Sequence, residues 1–226
     1  MLAGQITDLR NGLDRLWLAF AAVALGGGAI WSMHFIAMIA YQSPIPASYD
    51  PVLTAASMLV AILATGTGAY LVIRQRRLRV MTLIGAGVVM GLGVAAMHYT
   101  GMAAMEMQGT MHHDPLVVAI SIVIAIVASI AALWIAFTLR KEWQKVVSAL
   151  VMGIAVCGMH YTAMYGFTVN HSAHAASASA STIMPNELAG YVIGATVMVF
   201  VVALISTFAK ELREADAHWR DVKQTL

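Results

Sequence analysis

Residues 80–105 read VMTLIGAGVVMGLGVAAMHYTGMAAM, and this stretch contains no Asp, Glu, Lys or Arg. A helix needs about 20 apolar residues to cross a hydrocarbon core about 30 Å thick. In lipid only helices and closed barrels satisfy their own backbone hydrogen bonds, and the alternating pattern of a barrel strand is absent. The stretch therefore predicts a transmembrane helix that carries one histidine, His98, near its end.

Five other stretches have the same character, and they cover residues 16–41, 52–73, 116–139, 146–169 and 188–209. Hydrophobic residues make up 60% of the chain and charged residues 11%, whereas soluble domains carry about 25% charged residues. We therefore expect an all-α polytopic membrane helix bundle with six transmembrane helices in the lipid bilayer. This composition excludes a soluble enzyme, a disordered chain and a nucleic-acid-binding protein, and a single cysteine excludes a disulfide framework.

The 13 basic residues of the chain are confined to alternate connections. They lie in the N-terminal segment, between the second and third spans, between the fourth and fifth spans, and after the sixth. Because basic loops stay on the cytoplasmic side, both termini are predicted to be cytoplasmic. Residues 1–209 then form the membrane domain. Residues 210–226 form a cytoplasmic tail that either begins a signalling helix or docks a separate partner.

The chain contains an internal repeat. The sequences SMHFIAM, AMHYTGM and GMHYTAM occupy residues 32–38, 96–102 and 158–164, so their histidines are 64 and then 62 residues apart. Such a period indicates a repeated structural unit, here one motif-bearing helix followed by one plain helix. All three motif helices run from the inside to the outside, so their histidines are expected at one depth near the extracytoplasmic face.

The repeated side chains predict a soft-metal site. Thioethers suit Cu(I), and imidazole suits copper, iron and zinc; zinc stays open, although its usual thiolates and carboxylates are absent. A single intramembrane histidine is commonly a packing residue, but three Met-His pairs with a following Met at one spacing favour ligation. We predict that a soft metal ion is bound by a set of motif residues comprising His34, His98, His160, Met33, Met38, Met97, Met102, Met159 and Met164.

A second group of sulfur and imidazole side chains lies in the connection between the third and fourth spans. Its members, expected to collect metal from outside, are Met105, Met107, Met111, His112 and His113. His171 and His174 are interpreted as incidental residues of a flexible Ala/Ser-rich loop, and Cys157 as a small packing residue.

With these motifs, nearly the whole chain resembles the MHYT family of bacterial membrane sensor domains. The resemblance implies a bacterial plasma-membrane protein that binds copper through the motif residues and senses O2, CO or NO. It also implies a cytoplasmic effector of the cyclic-di-GMP or histidine kinase type. Members of the family usually have seven spans, so the start of this chain resembles the remnant of a lost first helix or a shorter member. Phe35 replaces the usual Tyr of the first motif.

Three readings of function follow. The first is a non-enzymatic signal-input module with copper at its centre. The second is a haem-binding redox protein in which two motif histidines, such as His98 and His160, are the axial ligands. The third is a copper permease, although the inner halves of the helices contain no His or acidic residue. Catalysis is not expected, because no base or nucleophile is placed at the site.

Overall fold

A computed structural model describes residues 12–43, 45–75, 79–138, 141–170 and 182–225. It confirms the predicted all-α membrane bundle. The first membrane-spanning element is continuous and consists of α1 (Gly12–Ala22), a π-helical segment (Val23–Trp31) and α2 (Ser32–Ala40). The other helices are α3 (Pro51–Ile73), α4 (Val80–Ala103), α5 (Pro115–Thr138), α6 (Glu142–Tyr165) and α7 (Pro185–Thr225).

Within the described residues, five elements are long and apolar enough to cross a membrane. They are Arg15–Ala40, Pro51–Ile73, Val80–Ala103, Pro115–Thr138 and Pro185–Ala209. The remaining helix, α6, has 24 residues, of which Ala149–Tyr165 is the apolar part. The chain is therefore a multi-pass membrane protein, and α7 continues without a break from its apolar span into the charged tail.

An Asp-Pro pair starts two of the plain helices. Asp50 accepts a hydrogen bond from the backbone N–H of Leu53 at 2.7 Å, and Asp114 accepts one from Leu116 at 2.8 Å. A proline follows each aspartate, and its fixed φ suits the first position of a helix. The two pairs are 64 residues apart, the same interval that separates His34 from His98.

Four short strands cap the end of the bundle that carries the motifs. Strand β1 (Ala47–Tyr49) pairs antiparallel with β2 (Met105–Met107), and β3 (Thr110–His113) pairs antiparallel with β4 (Phe167–Asn170). Tyr49 and Ile183 exchange both backbone hydrogen bonds, at 2.9 and 2.8 Å. Backbone pairing thus joins all three connections on this side of the bundle.

These strands correct two predicted helix ends. The third and fifth spans were expected to reach Met105 and Val169, but the helices end at Ala103 and Tyr165. Met105 and Val169 instead lie in β2 and β4, because their backbone groups bond to neighbouring strands rather than to the preceding helical turn. His171, His174 and Leu139 lie outside the described residues.

Each plain helix packs on the motif helix of the next repeat, and α7 packs on the first. Thus α3 packs on α4, α5 packs on α6, and α7 packs on the π-helical segment and α2. Close approach of α4 to α5 occurs at Gly87 and Gly91, where a Cβ atom would overlap Ile130 and Ile126. Small residues four positions apart, as in this GxxxG pair, let membrane helices approach closely. The motif helices contact one another directly, with α2 packing on both α4 and α6.

Candidate metal centre

Three imidazoles from three different helices meet beneath the strand cap. His34 belongs to α2, His98 to α4 and His160 to α6, and each is at most 1% exposed. Each lies five or six residues before the end of its helix, which corresponds to about 8–9 Å at 1.5 Å per residue. The equal depth expected from the repeat is therefore observed.

The Nδ1 atoms of the three rings form a nearly equilateral triangle. They are 3.1 Å apart between His98 and His34, 3.2 Å between His34 and His160, and 3.3 Å between His160 and His98. The ring centroids are farther apart, at 4.9–5.1 Å. Each ring consequently turns its Nδ1 corner towards the common centre, and the ring planes are inclined to one another by 80–83°.

Hydrogen bonding alone cannot account for this triangle. The Nδ1 of a neutral imidazole either carries a proton and donates, or carries a lone pair and accepts. Among three such atoms at least two must be of the same kind, so at least one of the three close contacts is not a hydrogen bond. A cation at the centre would receive all three lone pairs, which removes this conflict.

The size of the triangle also suits a metal ion. For sides of 3.1–3.3 Å, the centre lies about 1.8–1.9 Å from each corner, close to the ~2.0 Å of a metal–imidazole bond. No carboxylate or thiolate joins the three histidines within the described residues. The arrangement can therefore hold one ion with neutral ligands, in trigonal geometry, without burying a charged side chain.

The rings are oriented by packing. The Nε2 atoms of His34 and His98 are buried and have no hydrogen-bond partner. The ring of His34 packs edge-on against Phe35, with centroids 4.8 Å apart, and its Nε2 faces Gly101, where a Cβ atom would overlap it. Metal-binding histidines usually donate the second ring nitrogen to an acceptor, so this site depends on steric confinement instead.

Most motif methionines lie in the hydrophobic core at the end of the bundle that contains the three histidines. Met38, Met97, Met102 and Met159 are at most 2% exposed, and Met164 packs against the same core cluster. Met33 is half-buried and lies outside that cluster. The structure thus brings the histidines together and places five of the six motif methionines in one core cluster, with Met33 outside it.

The residues expected to collect metal are distributed over the strand cap. Met105 and Met107 lie in β2, and Met111, His112 and His113 lie in β3. Met105 is buried and His112 is exposed, so these side chains do not share one surface. Burial and the neighbouring His112 lower the pKa of His113, whose ring packs on Phe167 with centroids 5.3 Å apart. Capture of metal by this group stays a prediction.

A crevice between α2 and α6 leads to the histidine cluster. Its volume is about 250 Å³, and its lining consists of Ala37, Ala40, Tyr41, Gln42, His160, Tyr161 and Met164. The sequence analysis did not identify this opening. The sequence does place two small residues, Ala37 and Ala40, at the end of the first motif helix, and their short side chains leave space beside the third motif.

A polar contact joins the first motif helix to α7. The hydroxyl oxygens of Thr196 and Ser32 are 2.7 Å apart, and each also lies near a carbonyl of its own helix, Val192 at 2.7 Å and Gly27 at 3.0 Å. Gly28 lies against Val199 of α7 one turn below. Ser32 is two residues from His34, so α7 is in contact with the helix that supplies one corner of the triangle. The sequence alone gave no signal of this contact.

The repeat and its histidines match one protein family. The profile described as a bacterial signalling protein N-terminal repeat, MHYT, matches residues 27–85 and 91–149, which is more than half of the chain. The chain belongs to the MHYT family. The matched segments contain the first two motifs, and the third MHYT motif, with His160, follows them.

Curated relatives of this MHYT chain are longer signalling proteins. The bifunctional diguanylate cyclase/cyclic di-GMP phosphodiesterase MucR of Pseudomonas aeruginosa is 47% identical over 72% of this chain and 24% of its own length. The cyclic di-GMP phosphodiesterase NbdA of the same organism is 38% identical over 66% of this chain and 20% of its own. The signaling protein YkoW of Bacillus subtilis is 34% identical over 74% and 21%.

The MHYT chain therefore spans about a quarter or less of the length of these relatives. No solved structure matches it.

Proposed function

We propose that this MHYT domain is a signal-input module that binds one copper ion between His34, His98 and His160. The observation that carries the proposal is the Nδ1 triangle, in which at least one contact is unfavourable unless a cation lies at its centre. The motif methionines of the same core cluster are the proposed additional ligands, and their thioethers favour copper over harder metals because thioethers are soft ligands.

The crevice supports the sensing of a small ligand. Its lining includes His160, which is otherwise buried, so a small molecule within it would reach the edge of the cluster. A bound copper ion would supply redox chemistry and an open coordination position for O2, CO or NO. Tyr161 and Gln42 place polar groups in the lining, while Ala37 and Ala40 keep it wide enough for a diatomic molecule.

Helix α7 is the proposed output element. It contacts the first motif helix through Thr196 and Ser32 and continues past its apolar span to Thr225. With the basic connections on the inside, the tail is cytoplasmic and the histidines lie near the extracytoplasmic face of a bacterial plasma membrane. The relatives MucR and NbdA are cyclic-di-GMP enzymes, which favours cyclic-di-GMP turnover as the type of output.

The geometry does not favour haem between the motif histidines. Bis-histidine haem requires the porphyrin plane to lie between its two axial rings. Here the ring centroids are only 4.9–5.1 Å apart, and the ring nitrogens already approach one another within 3.3 Å. A macrocycle could enter only if the helices separated.

Metal analysis of the membrane-purified chain tests the proposal. We expect about one copper per chain, and loss of that copper when His34, His98 and His160 are each changed to Ala. His218→Ala is the matched control, because His218 belongs to the charged tail beyond the apolar span of α7 and should leave the copper content unchanged. Equal copper in the triple variant and the parent, zinc in place of copper, or a Soret band would contradict the proposal.

A further inference from the structure

A heptad stripe of apolar residues runs along α7 and continues beyond the membrane span. The stripe is formed by Met198, Val201, Ile205, Phe208, Leu212, Ala215 and Trp219, which alternate in steps of three and four residues. Every one of these side chains is exposed. Apolar residues at this spacing form the contact seam of a two-stranded coiled coil.

The stripe lies away from the face by which α7 packs on its own bundle. That face contains Leu188 and Val192, which are at most 1% exposed, and Thr196, which bonds to Ser32. On a helical wheel, the centre of the stripe is more than a quarter-turn from these residues. The stripe is therefore available to another molecule while α7 keeps its contact with the first motif helix.

The part of the stripe beyond Ala209 is the part that requires a partner. Within the apolar span, lipid covers exposed side chains at no cost. Past the span the helix becomes charged, yet Leu212 and Trp219 are 54% and 64% exposed. Burying apolar surface is favourable by about 25 cal/mol per Å². A partner that covers Leu212 and Trp219 would therefore be bound favourably.

We infer that this face is the dimerisation surface of the protein and that its occupant is α7 of a second copy. Two copies inserted in the same membrane orientation have parallel α7 helices, so each stripe residue meets its equivalent in the partner without any change of register. A parallel pair needs no complementary second sequence, because the seam is self-complementary. The inference concerns self-association and does not rest on metal binding.

The flanking charges tune the strength of this pairing. In a parallel coiled coil, a g-position residue faces the e position of the next heptad of the partner. Glu211 occupies a g position and Asp216 the following e position of the repeat. These like charges weaken the pairing, so the dimer should strengthen with salt, and Glu211→Lys should convert the pair to an attractive one.

Disulfide cross-linking of the full chain in membranes tests the inference. In a Cys157→Ser background, single cysteines replace Leu212 or Ala215 on the seam. Ala217→Cys and Arg213→Cys are controls at positions off the seam in the same two turns. We expect a cross-linked dimer at least five-fold more abundant for the seam cysteines than for the controls, and a further increase when Glu211→Lys is added.

Native mass measurement of the unmodified chain in nanodiscs provides a second readout. A dimer that becomes a monomer on Leu212→Glu and Trp219→Glu substitution, with helix content retained by circular dichroism, supports the inference. A parent chain that is monomeric, a larger oligomer, or equal cross-linking at seam and control positions would overturn it.

Discussion

Gly101 limits the position of the His34 ring. It occupies the sixth position of the second motif, and a Cβ atom there would overlap Nε2 of His34. Because that nitrogen has no hydrogen-bond partner, the glycine surface is part of what holds the ring in place. The equivalent positions in the other motifs are Ala37 and Ala163, so close packing of this kind is required only beside His34.

Gly101→Ala should therefore reduce copper affinity by at least ten-fold, because the added methyl displaces one corner of the triangle. Copper titration with a competing chelator measures the change. Gly85→Ala is the matched control on the same helix, because no atom lies within 4 Å of a Cβ built there. Both substitutions improve helix propensity, so a shared effect on affinity would count against the steric explanation.

His113 should make the strand cap sensitive to pH. Burial and the neighbouring His112 lower the pKa of His113 in the folded chain. Its contribution to stability is then fully present above the unfolded pKa of about 6.5 and is lost as the pH falls from there towards the lowered value. Amide exchange in β3 and β4, corrected for intrinsic rates, should rise between pH 7 and pH 5.5.

The control variants for this effect are at adjacent positions. His113→Phe keeps a ring beside Phe167 and should remove most of the pH dependence. His112→Asn lies on the exposed side of the same strand and should retain much more of it. If His113→Phe exchanges with the same pH dependence as the parent, this ring is not the titrating group.

At the level of elements, the contact between α2 and α7 should transmit the state of the site. Thr196→Val removes the hydroxyl that lies 2.7 Å from Ser32 Oγ. It should leave copper binding within two-fold of the parent but abolish the change in amide exchange along α7 that copper produces. Thr207→Val is the matched control, because the Thr207 hydroxyl bonds only to carbonyls of its own helix, at Ala203 and Leu204.

Loss of the response in both threonine variants would show that the effect comes from α7 itself rather than from its contact with Ser32. A retained response in Thr196→Val would show that packing of Gly28 against Val199 is sufficient for coupling. The first result would contradict the proposed transmission. The second would assign transmission to the contact of Gly28 with Val199, one turn away on the same interface.

For the whole molecule, copper should act as a tertiary cross-link. An ion that binds only the folded chain stabilises it by about 2.7 kcal/mol at a hundred-fold excess over its dissociation constant. The thermal midpoint in detergent should rise on copper loading and fall on chelation. His160→Ala should have a midpoint that is insensitive to copper, whereas Cys157→Ser should respond like the parent. Equal responses of the two variants would exclude the proposed ligand set.

The features that could be predicted from sequence are those set by hydropathy and by the repeat. Charge-free stretches located the helices, and the interval between His34 and His98 predicted a common layer for the imidazoles. The strand cap was missed because its strands are three or four residues long and the apolar Met105 was counted with the preceding helix. Gly101 and Thr196 act through contacts between distant segments, which no local pattern in the sequence reveals.

The near-equal sides of the nitrogen triangle have a consequence for how such a centre is assembled. One two-helix unit supplies a single imidazole, so neither one unit nor two can complete the three-histidine cluster. A free-standing unit would have to assemble as a trimer to build the same shell. Covalent linkage of three units replaces that association step. It also lets the sequence of each unit diverge separately, as in the first unit, where Phe35 stands in place of the tyrosine of the other two motifs.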